Sequence, residues 1–84
     1  MSQDEMEFLP YDVAANLVGA IQEEENIHRE NHRVLTVYNK HDQEICWFDF
    51  DEVMREVNPK SKETAREEVS NYILHRIPTW ALDV

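Results

Sequence analysis

"QEEENIHRENHRV", Gln22 to Val34, carries four glutamates, two arginines and two histidines, and its conformation decides how many helices and strands the chain has. Upstream, Val13, Ala14, Leu17, Val18 and Ile21 recur at three- and four-residue intervals, the spacing that lines one side of a helix with apolar groups. Asp12, just after Pro10 and Tyr11, offers a side-chain oxygen for an unpaired first-turn N–H and is the expected N-cap. The apolar pattern fades after Ile21. Ile27, His28 and His32 extend the same face, so the expectation is a first helix reaching about residue 31.

Downstream of this stretch the period changes. "RVLTVYN" and "EICWFDF" are rich in β-branched and aromatic residues, and the polar "NKHDQ" between them suits a hairpin loop. Alternation sends Leu35 and Val37 to one side and Val34, Thr36 and Tyr38 to the other. In the second strand Cys46, Phe48 and Phe50 oppose Ile45, Trp47 and Asp49. A short helix follows, with Val53, Met54 and Val57 on one face, Asp49 or Asp51 as its cap, and Asn58-Pro59 as its stop. Ser61 then caps a third helix, in which Ala65, Val69, Tyr72, Ile73 and Ile77 form the apolar face and which Pro78 ends. Residues 1–9 read as an acidic lead-in that folds back through Met6, Phe8 and Leu9, and residues 78–84 as a tail docked through Trp80 and Leu82.

The expected fold class is therefore α+β: a small single domain over residues 1–84, in the order αββαα, with an antiparallel β-hairpin packed on helices. With 84 residues there is room for one core. An apolar content of 42% is too high for a disordered chain in spite of the charge. Phe48, Val69 and Ile73 are expected in the core. One cysteine, Cys46, excludes an internal disulfide framework, and no apolar run is long enough to span a bilayer. The acidic "MSQDEMEF" start is unlike a secretory signal, so the expected setting is cytoplasmic.

Charge narrows the function classes. The net charge is −10, divided as −7 over residues 1–31, −3 over residues 32–58 and zero over residues 59–84. Such a chain repels phosphate backbones and anionic membrane surfaces, which argues against direct nucleic-acid or membrane binding and in favour of a basic protein partner. Glu23, Glu24 and Glu25 form an acidic run, and Asp49 and Asp51 would lie on one side of an extended segment, about 6.6 Å apart. Together with Tyr38 and Trp47 as apolar anchors, these are the expected partner-binding residues.

Enzymatic readings are thinner. On a helix, Glu24, His28 and His32 would follow one another about 6 Å apart on one face, a spacing that can bring imidazoles to zinc. A His-Glu-x-x-His zinc site places its general base next to the first histidine, where this chain has Arg29, and no spacing nominates His41, His75 or Cys46 as a third ligand. Two histidines at a helix end also complement its dipole without any metal. Cys46, between Ile45 and Trp47, lacks the positive neighbours of a reactive thiolate. The only glycine, Gly19, falls inside the first helix, so no loop can cradle a phosphate. No enzyme and no cofactor are expected.

In size and acidity alone, the chain resembles the small inhibitors that phages and mobile elements direct against host nucleases, restriction systems or CRISPR effectors, some of which are DNA mimics. That resemblance assigns no residue. It implies an acidic protein-binding inhibitor, of the anti-CRISPR or nuclease-inhibitor kind, that occludes a basic and nucleic-acid-binding surface. Another class is a homodimeric structural or regulatory subunit, joined by strand pairing or by the third helix. A third is a zinc-dependent enzyme built on His28 and His32.

Overall fold

The computed structural model describes residues 7–83. Their order is α1 (Tyr11–Leu17), β1 (Val18–Glu25), β2 (Arg33–Asn39), β3 (Glu44–Asp49), α2 (Phe50–Val57) and α3 (Lys62–Leu74), closed by a 3-10 helix at Thr79–Asp83. The fold is α+β, with an antiparallel sheet of three strands in the order β1-β2-β3. The order αββαα therefore becomes αβββαα, and the difference lies in the residues following Leu17.

Helix α1 has only seven residues, and no side chain caps it, because Pro10 holds the N-cap position and Asp12 lies within the first turn. So short a helix propagates weakly, and Gly19 adds the usual helix cost of about 1 kcal/mol. Extension into β1 instead gives the backbone a ladder to β2, pairing Ile21 with Val37, Glu23 with Leu35 and Glu25 with Arg33. Gly19 sits at an irregularity in that ladder between Val18 and Ala20. A Cβ there would stand 2.5 Å from the Asn39 carbonyl oxygen, so the close approach of the two strands requires glycine.

The β2–β3 hairpin forms as its residues predict, and Asn39 organises it. Its side-chain oxygen accepts from the backbone N–H groups of His41 (2.8 Å) and Gln43 (3.0 Å), while its amide donates to Gln43 Oε1 at 3.0 Å. A polar residue that is only 5% exposed is thus satisfied on every side. Asp42 takes the positive φ of 61° that the tight loop demands. The register slips once, between Val37 and Tyr38, and this bulge turns Ile45 into the core, against strict alternation.

The two later helices follow the sequence closely. Asp49 caps α2 by accepting from the Glu52 N–H at 3.2 Å, and Asn58 ends it in the left-handed region with φ 46°, ahead of Pro59. Ser61 caps α3 by accepting from the Thr64 N–H at 3.2 Å. The helix stops at Leu74, so Ile77 lies beyond it yet is fully buried.

Helices and strands meet in one core of Leu9, Ala14, Leu35, Val37, Ile45, Val53, Ile73, Ile77 and Ala81, with Phe48, Val69 and Cys46 partly buried against it. Leu9 folds back as expected, its N–H donating to the Ile77 carbonyl at 2.8 Å, while Phe8 stays exposed and Met6 lies outside the described residues. The tail docks through Ile77 and Ala81, because Trp80 and Leu82 point outward. No helix among the described residues is long and apolar enough to cross a membrane.

Candidate protein-binding face

Because α2 and α3 pack on the side of the sheet that carries Leu35 and Val37, the other side has no helix over it among the described residues. The register arranges that open face in three rows running from β1 through β2 to β3. Glu24, Val34 and Asp49 form the first, Gln22, Thr36 and Trp47 the second, and Ala20, Tyr38 and Glu44 the third. Directly opposed residues share a face, so each row is a line of neighbouring side chains.

A hydrogen bond from the third row reaches the first. The Tyr38 hydroxyl donates to Glu24 Oε2 at 2.5 Å. It holds the Glu24 carboxyl below its usual range, with the Thr36 hydroxyl adding to the effect. In return the phenol of Tyr38 is pushed up to about 12, first by that bond and then by partial burial and the charges of Glu24 and Glu44. Thr36, at the centre of the face, is only 3% exposed although no helix among the described residues covers it. Trp47, its neighbour on β3, is 57% exposed.

Beside these residues runs a groove of about 450 Å³. Val34 and Thr36 line it from β2, Glu24 from β1, and Trp47 and Glu44 from β3, while the β1–β2 loop closes one end with Ile27, His28 and Arg29. That loop is a compact turn. The Asn26 side chain accepts from the His28 N–H at 2.8 Å, and Asn31 adopts a positive φ of 62°.

The expected partner-binding residues are thus divided. Glu24, Tyr38, Trp47 and Asp49 lie together on the open face. Glu23 alternates to the opposite side of β1, where it forms an ion pair with Arg33, and Glu25, which pairs with Arg33 at the end of the strand, lines the loop end of the groove. Asp49 and Asp51 do not project from one extended segment, because the strand ends at Asp49 and Phe50 begins α2. Asp49 acts as the N-cap and Asp51 sits in the first turn, its carboxylate 3.7 Å from His32 Nδ1.

The helical zinc geometry is also overturned. Glu24 is in a strand and His28 in a turn, so the four-residue spacing to His32 no longer places side chains on one helical face. Among the described residues no three His, Cys, Asp or Glu side chains cluster closely enough to hold a metal ion. The Cys46 thiol is pushed up to about 11, by burial first and by the charge of Glu44 second, which keeps it a neutral packing group at physiological pH.

Sequence reading missed Glu44 and Ile27. The alternation in β3 assigns Glu44 to the side of Cys46, and only the bulge brings it beside Tyr38. Ile27 fits the helical stripe by spacing, yet it lies in the β1–β2 loop and is 89% exposed. No family model matches the chain, and no curated protein or solved structure matches it.

Proposed function

We propose that the chain is a non-enzymatic binding module that occludes a basic surface on another protein, and that the open face of its sheet is the contact surface. The observation that supports this reading is the join of an exposed aromatic anchor, Trp47, with carboxylates at Glu24 and Glu44 on a face that no helix among the described residues covers. Aromatic residues over a rigid scaffold contribute contact area at low entropic cost, while carboxylates steer a cationic partner and reject anionic ones. A net charge of −10 adds long-range attraction. A nucleic-acid-binding surface is the basic surface that fits best, and the module then acts as an inhibitor of the DNA-mimic kind by competing with phosphates.

A pull-down from host lysate at low and high salt tests the proposal, followed by association kinetics with the protein recovered. Reversing Glu24 and Glu44 together to lysine is expected to slow association at least tenfold at low salt and to flatten its salt dependence, with the far-ultraviolet spectrum unchanged. Reversing Glu63 and Glu67 on α3 is the control, expected to change the rate less than threefold. Equal association rates for parent and open-face variant across the salt series would refute the proposal.

A further inference from the structure

The groove on the open face has a chemistry more selective than negative charge. Its floor is β2, and its walls come from the strands on either side, with Glu24 on one and Trp47 on the other. The walls therefore stand about two inter-strand spacings apart, about 10 Å. Glu24 and Trp47 belong to neighbouring rows, so a flat cation stacked on the indole would lie diagonally across β2 from the carboxylate.

Glu24 is prepared for such a ligand. Tyr38 anchors one carboxylate oxygen at 2.5 Å, so the side chain has little freedom left to lose on binding. Trp47 presents an exposed ring, and Glu44 lines the same groove. A guanidinium group is planar and weakly hydrated, stacks on aromatic faces and forks towards carboxylates, whereas an ammonium is a compact and strongly hydrated point charge. The protein already makes this contact once, with the Arg76 guanidinium carbon 3.7 Å from the centre of the Tyr72 ring.

We infer that the groove is an arginine slot, in which a partner's arginine stacks on Trp47 and is held by the carboxylate of Glu24. The inference rests on the binding reading above and narrows its partner to a basic surface that projects an arginine. Arg29 lines the loop end of the groove, where it would compete with a partner's arginine for the slot.

Nuclear magnetic resonance titration of the whole chain with hexa-arginine and hexa-lysine peptides separates stacking from charge, because the two peptides carry equal charge. Hexa-arginine is expected to bind about two- to fivefold tighter, the size of one exposed cation–π contact, with the largest shifts at Val34, Thr36 and the Trp47 indole. Trp47→Leu and Glu24→Gln should each reduce hexa-arginine to the hexa-lysine affinity, Glu23→Gln should leave the ratio intact, and Arg29→Ala should tighten hexa-arginine binding. The same spectra report whether each variant is folded, and Trp47 is exposed enough for its replacement to spare the core. Equal affinities for the two peptides, or an arginine preference that survives Trp47→Leu, would overturn the slot. Equal binding of both leaves the acidic-surface reading in place, whereas binding of neither removes both.

Discussion

Tyr38 and Glu24 define each other. The phenol can donate only while protonated, and the carboxylate accepts best while ionised, so each group holds the other in that state. Raised to about 12, Tyr38 contributes stability that is fully present below its ordinary value of about 10 and is lost as pH rises through about 12. Glu24 is lowered, so its contribution is present above the ordinary carboxylate range and is lost as pH falls through its depressed value. Both groups are solvent-accessible, and the expected readout is titration rather than a large change in stability. Carbon-13 resonances of the Tyr38 ring should titrate near 12 in the parent, and Glu24→Gln should bring the midpoint back towards about 10. A parent midpoint already near 10 would mean that the bond is not held in solution.

Among the elements, β1 carries the most consequence and the least local support. It follows directly from α1, and what keeps it extended is its ladder to β2, where Gly19 lets the strands approach. Gly19→Ala is therefore expected to destabilise the protein by about 1 to 3 kcal/mol, the usual range for forcing extra atoms into a packed contact. The opposing atom is a backbone carbonyl that has no rotamer to change. Urea unfolding checks this, with Ala15→Gly in the exposed part of α1 as a comparison that should cost about 1 kcal/mol or less. An alanine variant as stable as the parent would mean that the approach to Asn39 is looser than described.

At the scale of the whole molecule, one side of the sheet is committed to stability and the other to the surface. The tail illustrates the division, since Ile77 and Ala81 are completely buried while Trp80, between them, is 52% exposed. Ile73 is completely buried where α3 enters the core, and Ile73→Ala should cost about 2 to 5 kcal/mol, enough to threaten so small a domain. Trp80→Ala, by contrast, should stay within about 0.5 kcal/mol of the parent, in spite of the larger side chain removed. Thermal or urea unfolding of the two variants tests the placement of the tail and of α3 together. Comparable losses in both would mean that Trp80 packs inward.

Where a signal is local, the sequence by itself was sufficient. Asp49 and Ser61 cap helices with their own side chains, Asn58-Pro59 stops one, Asn39 shapes a loop through residues two and four ahead, and Ile73 lies on the apolar face of its own helix. Each depends on neighbours within a turn or two of chain. The state of residues 18–25 was not local. Val18 and Ile21 fit a helical stripe as well as a strand, and glutamate is a good helix former, so spacing and propensity favour the wrong element. Only pairing with β2, between partners 8 to 21 residues apart, selects the strand. That choice moved Glu24 beneath the Tyr38 hydroxyl, took it off any helical face shared with His28 and His32, and set it on the open face, diagonally across β2 from Trp47. Acidity and the aromatic anchors were legible one residue at a time, but their meeting on one open face required the tertiary structure, because register and bulges are properties of paired strands.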